Sequence, residues 1–171
     1  MALSEVDVMF TRIVVPLDGS DVAEQALAPG VELARRMGIP LHLIRITDLA
    51  HADASSVFGY IGDGQLMAEQ VKTEVTLARE YLAENVRSLT EQGLTVTSEV
   101  EIGLAASAIV AANKPGDCIV MASHGRSGLA RWYIGSVAEQ VMRQATVPVM
   151  VVRSVGKGST SSELPLAAFA T

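Results

Sequence analysis

Five short apolar runs, each passed to the next through a stretch with helical spacing, constrain this chain more than any other feature. The runs are Arg12–Leu17, Leu41–Ile46, Leu94–Ile102, Asp117–Ala122 and Thr146–Arg153, rich in Val and Ile and closed by Gly, Pro, Asp or Ser. Short β-branched runs with such punctuation read as strands. After the first run, Asp21 with Glu24 has the spacing of a capping box. Ala23, Leu27, Val31 and Ala34 then recur at helical intervals, and Gly38 and Pro40 end the helix. Pro29 lies inside it and is expected to kink it. A long helix is predicted over about Gln65–Gln92, with Gly93 as its C-cap. A short Ala-rich helix without a polar N-cap runs to Asn113, and a last helix begins at Ser136. Strand and helix alternate and the order ends on a strand. That pattern specifies an α/β fold with a mostly parallel sheet, and right-handed crossovers place helices on both faces.

Composition narrows the function. At 171 residues one domain is expected. Hydrophobic residues make up 49% and aromatics 4%, so aliphatic side chains fill the core. The net charge of -6 argues against sequence-independent binding to nucleic acid and against an electrostatic grip on anionic membranes. The single Cys118 excludes an intrachain disulfide, and inside an apolar strand it reads as an inert core thiol. No apolar run approaches the ~18 residues of a membrane span, and Met1–Thr11 lacks the pattern of a signal peptide. A cytoplasmic protein is expected. The organisation expected is a lead-in over 1–11, a domain over 12–153 and a flexible tail over 154–171. The long loop 47–64 is expected to be functional or mobile.

The most informative stretch is Ala122-Ser123-His124-Gly125, nine further residues, then Gly135-Ser136. It leaves the C-terminal end of an apolar strand, where ligands of open α/β sheets bind. Gly125 and Gly128 admit close approach to the backbone. Ser136 and Glu139 have capping-box spacing, and the helix start behind them offers free N–H groups and a positive dipole end. His124 beside Gly125 either contacts a phosphate or is a plain loop histidine, and Arg126 and Arg131 can screen phosphate charge. Together these suggest a phosphate cradle. Asp18 ends the first strand, which in a doubly wound sheet adjoins the fourth at the switch point. A carboxylate there accepts hydrogen bonds from ribose hydroxyls or a base amino group, although turning the chain and capping a helix needs the same residue.

VPLDGS near the start, LHLIRITD in the second strand and DCIVMASHGRSGLARWYIGSVAEQVMRQATVPVMVVR near the end resemble the universal stress protein family over about residues 12–153. The resemblance implies a Rossmann-like three-layer fold with a five-stranded parallel sheet of order 3-2-1-4-5. It also implies ATP binding, with or without Mg. Asp18 and Ile46 would hold the adenosine, lined by Pro16 and Met121, and Ala122, Gly125, Gly135, Ser136 and Val137 would hold ribose and phosphates. Ala122 replaces the first glycine of the family's nucleotide motif. Arg45 stands where many members carry histidine. Members are commonly homodimers, and Val147–Val152 with Pro148 suits an edge strand that a second copy would cover.

No histidine, cysteine and carboxylate set has metal-ligand spacing, and Gly62-Asp63-Gly64 lacks the third glycine of a dinucleotide fingerprint. No general base is placed for phosphoryl transfer, so no catalytic residue is assigned. The expectation is an ATP-binding stress-response regulator with at most slow hydrolysis and an unidentified protein partner. A true ATPase or nucleotidyl-transfer enzyme, and a dimeric scaffold without nucleotide, are the alternatives.

Overall fold

The computed structural model describes residues 10–47, 64–123 and 134–153. The five apolar runs form strands β1 (Arg12–Pro16), β2 (Leu41–Thr47), β3 (Val96–Ile102), β4 (Asp117–Ala122) and β5 (Val149–Val152). They make one five-stranded sheet of order β3-β2-β1-β4-β5, with every pairing parallel. The α-helices among the described residues are α1 (Leu27–Met37), α2 (Gly64–Glu91), α3 (Ala105–Ala111) and α4 (Ser136–Gln144). The order and the three layers are those implied by the family resemblance.

Strand alternation divides the core in two. Ile13, Val15, Leu41, Leu43, Cys118 and Val120 face one side and pack with Ala34 and Leu82 of α1 and α2. Ile119 and Met121 face the other side and pack with Ala106, Ile109, Ala138 and Val141 of α3 and α4. The interior strand β4 is buried at all six positions, whereas β3 at the sheet edge is mostly open. Cys118 is buried in the first cluster, and burial pushes its thiol pKa up, as suits an inert core group.

The element ends differ from the sequence expectations in informative ways. Pro29 does not kink a helix. The chain first makes a 3-10 turn, Ala23–Ala26, and α1 begins at Leu27. Pro29 therefore sits in the first turn, where its missing N–H would have had no helical acceptor. α1 ends on Gly38 in the left-handed region at φ 66°, as expected. β3 starts at Val96 rather than Leu94, because the Leu94 N–H closes α2 on the Leu89 carbonyl at 3.2 Å. β5 starts at Val149 rather than Thr146. Pro148 precedes it and contributes only its carbonyl, which accepts from the Ile119 N–H at 2.9 Å. The segments 1–9, 48–63, 124–133 and 154–171, which include the expected lead-in and tail, lie wholly or largely outside the described residues.

Candidate functional site

All five strands end on the same side of the sheet, and the described residues Pro16, Asp18, Ile46, Met121, Ala122 and Ser123 lie at or just past those ends. The β1 turn is built by its own polar groups. Asp18 Oδ1 accepts from the Ser20 N–H at 2.9 Å and from the Ser20 hydroxyl at 2.6 Å. Ser20 Oγ in turn accepts from the Ala23 N–H at 3.1 Å. Ser20 thus does the capping expected of Asp21. Glu24 makes no capping box; its carboxylate accepts the Tyr81 hydroxyl at 2.8 Å. Gly19 takes φ +80°, a conformation that glycine adopts without strain.

Strand register sets the neighbours. Pro16 pairs with Ile44, and the Leu17 N–H reaches the Ile44 carbonyl at 2.8 Å. Two residues further along that register, Asp18 comes beside Ile46. On the other side Val14 pairs with Ile119, and the same continuation brings Pro16 beside Met121. Pro16, Met121 and Ala122 are buried, and Ile46 is half-buried against the α3–α4 cluster. β1 and β4 adjoin although β2 and β3 lie between them in the sequence, so the sheet's switch point lies between them.

The ends of the glycine-containing loop are tied together. The Ser123 N–H donates to the Val152 carbonyl at 2.8 Å, and the Ser123 carbonyl accepts from the Gly135 N–H at 2.6 Å. This clasp places the start of α4 directly beside the end of β4. The Ser136–Glu139 capping box does not form. Gly135 is the N-cap, Ser136 is the first helical residue, and Glu139 pairs with Arg143 one turn later at 2.8 Å. Gly135 as N-cap makes no side-chain hydrogen bond to the first amides of α4, which have no helical acceptor of their own. Val137 follows, partly exposed. His124, Gly125 and Arg126 lie outside the described residues.

One group at this edge was not assigned a role from sequence. The Arg45 guanidinium lies 5.1 Å from the centre of the Tyr81 ring, against Gly19. Burial, and then the hydrogen bond to Glu24, push the Tyr81 phenol well above its ordinary pKa. Arg45 stood out only as a departure from a family pattern. Tyr81 is 36 residues away on α2, and only the crossover connection brings the two together.

The sequence profile of the universal stress protein family matches residues 9–153. The chain belongs to the universal stress protein family. Universal stress protein MJ0531 of Methanocaldococcus jannaschii is 33% identical, over 87% of this chain and 85% of its own length. The solved structure of universal stress protein UspA from Lactobacillus plantarum superposes with a TM-score of 0.70 at 22% identity, covering 84% of this chain and 98% of that one. A universal stress protein from Archaeoglobus fulgidus, solved in complex with dAMP, has a TM-score of 0.55 at 24% identity and covers 84% of this chain and 98% of its own. Another, solved in complex with cAMP, has a TM-score of 0.52 at 18% identity, covering 85% and 98%.

Proposed function

We propose that this universal stress protein is an ATP-binding regulator of the cytoplasmic stress response, working as a homodimer with at most slow hydrolysis. The observation that carries the reading is the clasp between Ser123 and Gly135. It sets an α4 start with no side-chain cap beside the switch point where Asp18 stands. The donor set fits the ligand. Backbone amides of α4 supply donors for phosphate oxygens, and Asp18 supplies an acceptor for ribose or the adenine amino group. Pro16, Ile46 and Met121 would line the adenosine end. Ala122, Gly135, Ser136 and Val137 would hold ribose and phosphates together with Ser123, His124, Gly125 and Arg126, with or without Mg. Relatives solved with dAMP and cAMP support an adenine nucleotide. Ala122 is buried in β4, where its methyl packs within the core cluster shared with α1 and α2 and keeps the position as small as an alanine allows. Occupancy would change the surface that a protein partner meets at this edge. The folded unit is taken as 12–153. Among the described residues no helix is long and apolar enough to cross a membrane.

Small molecules released from the native purified protein test the reading directly. Mass spectrometry is expected to find an adenine nucleotide, retained less by Ser136→Ala and by Gly135→Val. An adenine nucleotide retained equally by all three would show the ligand to lie elsewhere.

A further inference from the structure

Asp18 is held by more than its own turn. From β2, the Arg45 side chain reaches over to the β1 turn. A β-carbon built on Gly19 would lie 3.1 Å from Nη1 and 3.5 Å from Nη2 of Arg45, so a side chain there would crowd the guanidinium at its present distance. The same guanidinium lies over the ring of Tyr81 of α2, 5.1 Å from its centre. The Tyr81 hydroxyl then donates to Glu24 at the next turn of chain, at 2.8 Å. The segment 18–24 is therefore approached twice, by the guanidinium beside Gly19 and by the phenol bonded to Glu24. Arg45 packed on Tyr81 joins the two approaches into one unit. A planar guanidinium suits this position because it can meet an aromatic face on one side and backbone on the other, which an ammonium cannot.

We propose that Arg45 and Tyr81 form a clamp that sets the Asp18-Gly19-Ser20 turn in its ligand-accepting shape before a nucleotide arrives. Arg45 is then a positioning residue for the adenosine end of the site, an assignment that rests on the nucleotide reading above. A turn already in its bound shape removes part of the ordering cost of binding. The clamp acts on the turn of Asp18 rather than on the α4 start. Its effect therefore falls equally on ligands with and without phosphates.

Two measurements on Arg45→Ala, Arg45→Lys, Tyr81→Phe and the reference variant Ser136→Ala test the clamp. The first is amide exchange at Ser20 and Ala23 in ligand-free protein, because those N–H groups are bonded to Asp18 and Ser20. Both amides are expected to exchange faster in Arg45→Ala and in Arg45→Lys, and to a smaller degree in Tyr81→Phe, which keeps the ring. The second is affinity for adenosine and for ATP. If the unclamped turn holds the competent shape about a tenth of the time, Arg45→Ala weakens both ligands by about tenfold. Arg45→Lys does not restore them, and Ser136→Ala weakens ATP alone. Unchanged exchange at Ser20 in Arg45→Ala overturns the clamp. A loss for ATP without a loss for adenosine overturns the positioning role and puts Arg45 on the phosphates. If the unaltered protein binds neither ligand, the nucleotide reading falls and the adenosine role with it, while exchange at Ser20 still decides whether the clamp exists.

Discussion

His42 shows how a single side chain can tune this fold without touching the candidate site. It is buried in β2 between charged neighbours on three strands: Arg12 on β1, Glu99 on β3 and Asp117 on β4. Its Nδ1 shares a hydrogen bond with Thr97 Oγ1 at 2.8 Å, while Nε2 is 3.5 Å from Glu99 and has no hydrogen-bond partner among the described residues. Burial, reinforced by the charge of Arg12, lowers the pKa below 6.5, and Glu99 and Asp117 only partly oppose this. The unfolded chain takes up the proton first as pH falls, so stability drops below about pH 6.5. The urea midpoint is expected to fall between pH 7 and pH 5, and to fall less in His42→Gln. An equal fall in both would show that His42 stays unprotonated in neither state preferentially. Asp117 titrates in a separate window. Burial alone would raise its pKa, but Arg12, bonded at 2.9 and 2.5 Å, and the Lys114 N–H outweigh that and hold it low. Its contribution is present at neutral pH and is lost only below about pH 4.

At the scale of elements, α1 lies unusually close to β1 because Gly30 faces the sheet. A β-carbon there would sit 2.7 Å from Val15 Cγ2. Gly30→Ala gains about 1 kcal/mol of helix propensity but overpacks a dry core, which costs about 1–3 kcal/mol. A net loss is expected, read as a lower thermal midpoint, and Val15→Ala in the same chain should recover part of it. A stabilised Gly30→Ala would mean that the helix can move off the sheet at little cost. The strands and their order of appearance were legible in sequence because buried parallel strands carry continuous aliphatic runs, as in Asp117–Ala122, where both ends agree. Helix starts were less legible. Asp21–Glu24 and Ser136–Glu139 both have capping-box spacing, yet Tyr81 takes the Glu24 carboxylate and Arg143 takes Glu139. A spacing rule cannot see a competing partner supplied by tertiary contact or by the next helical turn. Pro29 was misjudged because the helix start was placed a turn too early. At the candidate site, Asp18, Ala122 and Gly135 were legible as positions at strand and helix ends. The Arg45–Tyr81 contact was not, because it needs the β2–β3 crossover to pass back over the sheet.

For the whole molecule, the proposed dimer and the proposed ligand make separate demands. β5 ends the sheet, and Met150 is 43% exposed on it. A second copy pairing along Val147–Val152 would cover that edge. Light scattering is expected to give about twice the chain mass of 18.0 kDa, and Met150→Lys to give the single-chain mass. The single-chain mass for the unaltered protein would remove the edge-strand dimer without touching the ligand site. The central claim is that the clasped α4 start and the Asp18 turn together hold ATP. Calorimetric titration of ATP into nucleotide-free protein tests it most directly. Saturable binding of one ATP per chain is expected, weakened at least tenfold by Asp18→Ala and by Gly135→Val. Absence of binding heat at every temperature tried, with the protein folded, would contradict it.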